Sequence, residues 1–154
     1  MVRIAICDDM SHELRNLVAL TEQYVSRNGV DAEVIGFNHP DALLTAMEAE
    51  RFHVYVLDIV MPMVSGLELG KAIRRIDREA QIIYATTEPN EALALGGTTT
   101  ILHEGRVIQS GKAAEVYHQP QTVLAAELRQ APVAAGFMLS AALDVRLLRV
   151  LERV

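Results

Sequence analysis

Cysteine is almost absent from this chain. The single thiol, Cys7, lies inside an apolar run, so no disulfide can form within the chain, and its plain reading is a small buried apolar residue. Basic residues are scarce as well. Fourteen Lys and Arg stand against 20 Asp and Glu, for a net charge of −6 and a pI near 5.3. That balance offers no basic surface and argues against nucleic acid as a partner. Lysine in particular occurs only at Lys71 and Lys112. Long apolar runs are missing too: Ala131 to Leu143 is too short to cross a bilayer and contains Pro132, Gly136 and Ser140. Met1-Val2-Arg3 runs straight into a strand pattern, without a leader. A soluble cytoplasmic protein with no membrane partner is the expectation. With 51% hydrophobic and 22% charged residues over 154 positions, the chain can bury a sizeable core as one domain.

The periodicity predicts strands alternating with helices. Residues 2–8 read as a buried strand. Ser11 is a fair N-cap for a helix over about 12–28 with Leu14, Leu17, Val18, Thr21 and Val25 on one face, stopped by Asn28-Gly29. Residues 32–37 form a second strand, Asp41 to Glu50 a short helix with Ala42, Leu43, Ala46 and Met47 inward, and residues 53–58 a third strand. Ser65 opens a helix to about Arg78 carrying Leu67, Leu69, Ala72, Ile73 and Ile76. Residues 81–86 form a fourth strand. Such a βαβ rhythm gives a parallel sheet covered on both faces. Beyond Thr86 the pattern predicts a helix over Pro89–Leu95, a strand at 98–103, a turn at Glu104-Gly105 and an antiparallel strand at 106–110. As a sheet edge that strand would be guarded by Arg106 and Gln109. Helices follow at Ala113–His118, Gln121–Arg129 and Val133–Arg153. The last carries Phe137, Leu139, Leu143, Leu147, Val150 and Leu151 on a broad apolar face. It packs on the sheet, or alternatively makes a dimer contact, so the chain is a monomer or a weak homodimer. Arg146, Arg149 and Arg153 recur on it as a solvated face or, alternatively, a surface for an acidic partner.

Carboxylates end two of the buried strands. Asp8-Asp9 closes Ile4-Ala5-Ile6-Cys7, and Asp58 closes Val54-Tyr55-Val56-Leu57. In open parallel sheets functional groups gather beyond the carboxyl ends of the strands. Three oxygen-donor groups there suit Mg²⁺, a hard cation, and a carboxylate can attack phosphorus to give an aspartyl phosphate when the incoming charge is neutralised. Thr86, at the next strand end, would offer a hydroxyl to a phosphoryl oxygen. Bland alternatives stand beside each. Asp8 or Asp9 alone would equally cap the following helix, Asp58 would serve as a turn residue before Met61-Pro62, and Thr86 as an ordinary strand residue. The five histidines show no metal-ligand spacing.

Residues 1–86 resemble a response-regulator receiver domain, particularly the kind that precedes LytTR-type DNA-binding domains. The resemblance is carried by Ile4-Ala5-Ile6-Cys7-Asp8-Asp9, Val56-Leu57-Asp58-Ile59-Val60-Met61-Pro62, Ser65-Gly66-Leu67-Glu68 and Ile82-Ile83-Tyr84-Ala85-Thr86-Thr87. It implies Asp58 as phosphoacceptor, Asp8, Asp9 and Asp58 with the Val60 carbonyl as Mg²⁺ ligands, Thr86 as switch hydroxyl, and a histidine kinase as partner in a phosphorelay. It also implies a flavodoxin-like three-layer sandwich with strand order 2-1-3-4-5, to which 106–110 adds an antiparallel edge strand. Receivers end their fifth strand in a Lys-Pro pair. Neither Lys71 nor Lys112 ends a parallel fifth strand, so impaired phosphotransfer is implied.

Residues 82–125 are similar to the C-terminal part of an ABC-transporter ATPase of sugar-importer type. The similarity rests on Thr86-Thr87-Glu88-Pro89-Asn90-Glu91-Ala92-Leu93, on Ile101 to Gly111 and on Ala114 to Pro120. The switch histidine of that family would fall near Thr87, and neither a phosphate loop nor a signature motif occurs. No enzyme is expected, beyond self-phosphorylation from a phosphodonor. The simplest account is a recombined or engineered chimera, a receiver-like half over 1–86 and an ATPase-like hairpin with C-terminal helices over 87–154. It would be a scaffold joining flavodoxin-like and P-loop-NTPase-like fragments, with no selected activity. A natural degenerate receiver with a novel tail is the other.

Overall fold

The computed structural model describes residues 1–86, 97–103, 106–128 and 136–141, with Asn90 and Ala94. The described chain divides into two compact units, one holding Met1–Ile82 and the other the described residues from Ile83 onward.

The first unit is the βαβ chain its periodicity predicts. Its elements are β1 (Val2–Cys7), α1 (Ser11–Arg27), β2 (Ala32–Phe37), α2 (Pro40–Ala49), β3 (Val54–Asp58), α3 (Gly66–Ile76) and the start of β4 (Gln81–Thr86). Strand order is β2-β1-β3-β4 in a parallel sheet of flavodoxin-like type. Register sets Ile4 beside Val34 and Val54, and Cys7 beside Phe37 and Leu57. Strand alternation then sorts the core. Ile4 and Ile6 pack with Leu14 and Val25 of α1, flanked by Val34, Val54 and Val56. Ala5 and Cys7 are buried from the opposite face, the side on which α2 lies against β1 and beside α3. Phe52 stands edge-on between Phe37 and Tyr55, with ring centroids 5.8 and 5.9 Å away.

The helix ends follow local chemistry. Gly29, at φ +61°, takes the left-handed conformation that ends α1 behind Asn28. Several local details differ from the expectation or go beyond it. Ser11 is the first residue of α1, not its cap; Met10 occupies the cap position and contributes no side-chain acceptor. His39, not a usual capping residue, caps α2 by accepting the Asp41 N–H at 3.2 Å. Ile76, placed on the inward face of α3, is the last residue of that helix and 67% exposed, and Ala42, placed inward on α2, is exposed as well.

The second unit is antiparallel. The Ile83–Thr86 part of β4 pairs with β7 (Gly136–Ala141), β7 with β5 (Thr98–His103), and β5 with β6 (Arg106–Lys112). Two short helices, α4 (Ala113–His118) and α5 (Val123–Leu128), follow β6. β5 therefore runs in the same direction as β4 but is not its neighbour, as order 2-1-3-4-5 requires; β7 lies between them. Residues 136–141, expected in a helix, form that strand. β6 is the antiparallel strand at the outer edge, two residues longer than expected. Gln109 does not guard that edge. It is buried, its amide donating to the Gln119 carbonyl and its oxygen accepting the Gln121 N–H, each at 3.0 Å, and so it pins the chain leaving α4. Of the expected helix over Pro89–Leu95 only Asn90 and Ala94 are described, both helical; the Glu104-Gly105 turn and residues 142–153 with their arginines lie outside the described residues.

Candidate functional site

Three carboxylates meet at the carboxyl ends of β1 and β3. Asp8, Asp9 and Asp58 each offer an oxygen, and these atoms lie within 4.8 Å of one another. Asp8 follows β1 directly, with its N–H donating to the Phe37 carbonyl at 3.1 Å. Parallel pairing of β1 with β3 then sets Asp58, the last residue of β3, beside it. Asp8 Oδ1 also accepts the Met10 N–H at 2.8 Å, an Asx-type contact ahead of α1. That contact precedes the helix, whose cap position is Met10, so Asp8 belongs to the cluster without capping α1. The backbone N–H groups of Val60 and Ile59 lie close enough to the Asp58 carboxyl to favour its charged form.

Burial and like charge both act on this group. The Asp58 carboxyl is pushed up to about 6, first by desolvation and then by the charges of Asp8 and Asp9, against the lowering effect of its two backbone donors. Asp8 moves in the same direction, again mainly by desolvation. Beneath them the Cys7 thiol is driven to about 12 by burial and the neighbouring carboxylates, so it stays protonated and unreactive. Its Sγ lies 3.8 Å from the Met61 sulfur. A pocket of converging oxygen donors, repelling one another and short of counter-charge, fits a hard divalent cation. Three carboxylate oxygens are donors of the type that Mg²⁺ takes.

The connection from Asp58 to α3 is tight. Val64 N–H donates to the Pro62 carbonyl at 2.9 Å and Met63 takes a left-handed φ of +70°. Ser65 caps α3 by a reciprocal box: Glu68 N–H to Ser65 Oγ at 3.3 Å, and Ser65 N–H to Glu68 Oε2 at 3.1 Å. Val60, whose carbonyl the sequence reading offered to the metal, is exposed on this connection. Thr86 closes β4 and is buried, within the second unit. Lys71 lies exposed on α3, and Lys112 ends the antiparallel β6. Nothing local signals the left-handed Met63, since glycine and asparagine are the residues that advertise that conformation.

Comparison with known proteins gives two results. In curated proteins, similarity runs to ABC transporter ATP-binding proteins. YurJ of Bacillus subtilis is 31% identical over 70 residues, 46% of this chain and 18% of that protein. The maltose/maltodextrin import protein MalK of Klebsiella aerogenes is 34% identical over 64 residues, 42% of this chain and 21% of that protein. The chain thus spans about a fifth of the length of these relatives. Among solved structures, the response regulator DrrB, a Thermotoga maritima OmpR/PhoB homolog, superposes with TM-score 0.50 and 27% identity, over 60% of this chain and 40% of that one. No helix among the described residues is long and apolar enough to cross a membrane. Residues 4–101, which carry the acidic cluster, the tight connection behind Asp58 and the parallel strands, match the response regulator receiver domain family, and the chain belongs to that family.

Proposed function

We propose that this chain is a phosphoacceptor module in which Asp58 accepts a phosphoryl group from a phosphodonor such as a histidine kinase. The observation that carries this is the convergence of three carboxylate oxygens within 4.8 Å at the ends of β1 and β3, in a family match that spans them. Asp8, Asp9 and Asp58, with the Val60 carbonyl, are the residues that would hold Mg²⁺. Bound there, Mg²⁺ would supply positive charge against which an anionic carboxylate and an anionic phosphoryl group can meet. An Asp58 oxygen attacks phosphorus, the bond from phosphorus to the donor breaks, and an acyl phosphate results. The Ile59 and Val60 N–H groups lower the Asp58 carboxyl against its upward shift and so favour the anionic form that attacks. Thr86 is the proposed switch hydroxyl. The strand-5 lysine of receivers has no counterpart at β5, which ends in His103, so we expect slow transfer or a short-lived product. Nothing in this scheme needs ATP hydrolysis.

The test is a titration followed by NMR, first with Mg²⁺ and then with beryllofluoride, on wild type and Asp58→Asn. Saturable shifts at Asp8, Asp58 and Thr86 that vanish in the variant are the expected result. Mg²⁺ shifts with no beryllofluoride response would leave a metal site without a phosphoacceptor.

A second reading has its own support. The partial alignments to transporter ATPases favour a chimeric scaffold with no selected activity. The LytTR-type affinity of the front half belongs to the same proposal. Acetyl phosphate separates the two: labelling at Asp58 supports the phosphoacceptor, and an unlabelled protein with an intact fold supports the scaffold.

A further inference from the structure

We propose that Gly66 is a positioning residue for Asp58, an inference that rests on the phosphoacceptor reading. A Cβ built on Gly66 would lie 2.0 Å from the Asp58 carbonyl oxygen, 2.8 Å from the Asp58 carbonyl carbon and 3.1 Å from Ile59 Cα. All three atoms belong to one peptide unit, the plane joining Asp58 to Ile59. That plane is rigid, and backbone cannot rotate away as a side-chain tip can. The same plane carries the Ile59 N–H, which helps to hold the Asp58 carboxyl down against its upward shift. On its other side Gly66 donates its own N–H to the Ile59 carbonyl at 3.0 Å. Gly66 thus brackets the residue after the phosphoacceptor: its bare Cα rests on the Asp58–Ile59 peptide and its N–H holds the next carbonyl. Two features seat it there. The left-handed Met63 turns the connection back on itself, and the Ser65–Glu68 box fixes the start of α3. A side chain at position 66 would tilt the peptide plane, move the Asp58 backbone with the Ile59 N–H, and misplace the Asp58 carboxylate.

The experiment is a Mg²⁺ titration by ¹H–¹⁵N NMR of wild type, Gly66→Ala, Asp58→Ala and the double variant. Displaced Ile59 and Val60 amide resonances are expected in metal-free Gly66→Ala. Its Mg²⁺ dissociation constant should rise about 10–100-fold, the usual cost of disturbing a group that orients a metal ligand. In the Asp58→Ala background, Gly66→Ala should cost nothing further, because the group it positions is gone. Wild-type affinity in Gly66→Ala, or an equal further loss in the double variant, overturns the proposal. Should Gly66→Ala fail to fold, Ser65→Ala/Glu68→Ala loosens the same helix start without adding an atom against Asp58. Weakened Mg²⁺ binding with a moved Ile59 amide supports the proposal there, and unchanged binding overturns it. A wild type silent to Mg²⁺ sinks the phosphoacceptor reading instead. The metal-free Ile59 amide then decides the geometry alone, and an unmoved resonance in Gly66→Ala overturns the positioning role.

Discussion

Asp58 is held partly out of water beside two other carboxylates, and its carboxyl titrates at about 6 instead of 3.8. Between roughly pH 4 and 6 the folded chain therefore binds more protons at this position than the unfolded chain does. The contribution of Asp58 to stability falls as pH rises through that window and stays low above it. Asp58→Asn removes the charge while keeping the shape. After discounting for the solvent that still reaches a half-buried group, we expect it to stabilise the metal-free protein at pH 7 by about 1–2 kcal/mol and to change little at pH 4. Urea denaturation at both pH values checks this; a variant no more stable than wild type at pH 7 refutes it. Thr99 poses the neutral version of the same problem. It is fully buried in β5, and its hydroxyl has no hydrogen-bond partner among the described residues. Thr99→Val keeps the β-branched shape and removes the stranded oxygen, so it should be neutral or stabilising by up to about 1 kcal/mol in the same assay. A loss above about 1 kcal/mol would mean that the hydroxyl has a partner. The two cases differ in how the sequence displays them. Strand-final aspartates stand out against an apolar run, whereas a threonine in Thr98-Thr99-Thr100 looks at home in any strand.

Among the elements, α3 has the most legible start. Ser65, Glu68 and the apolar positions behind them spell a capping box in the sequence, and the box forms. Ser65→Ala leaves the Glu68 N–H without its acceptor and should cost about 1 kcal/mol. Thermal unfolding of metal-free protein measures it, and an unchanged midpoint would show that water caps the helix equally well. The first unit was readable because each strand and helix matches one period over its whole length, and parallel strands buried on both faces carry continuous apolar runs. β7 was not readable for the same reason in reverse. Gly136-Phe137-Met138-Leu139-Ser140-Ala141 is a short apolar stretch with no β-branched residue, and periodicity alone does not separate a buried strand from a helix. Its conformation is decided by hydrogen-bonding partners on both sides, Ile83–Thr86 of β4 and Thr98–His103 of β5. Those partners lie well upstream in the chain, outside any local window. The same insertion moved β5 away from β4, an outcome that the strand count could not foretell.

Over the whole molecule, a net charge of −6 means that any salt relieves some repulsion, so stabilisation by Mg²⁺ needs a control before it counts as binding. Distance supplies one. The Debye length at physiological ionic strength is about 8 Å, longer than the 4.8 Å within which the Asp8, Asp9 and Asp58 oxygens gather. Monovalent salt therefore screens the dispersed surface charge but leaves the repulsion inside the cluster largely in place, and a divalent ion seated among the oxygens removes it. With Mg²⁺ at about 100 times its dissociation constant, mass action adds about 2.7 kcal/mol to the unfolding free energy. NaCl at matched ionic strength should give only a fraction of that. The order of the variants should then reverse. Without Mg²⁺, Asp58→Asn is the more stable protein at pH 7, because wild type carries the uncompensated charge. Near saturation wild type becomes the more stable, because that charge now binds the cation while the amide binds it weakly. Denaturant midpoints of both proteins across a Mg²⁺ series should cross. Parallel curves, or equal gains from Mg²⁺ and NaCl, would mean that the three carboxylates respond only to ionic strength and hold no metal.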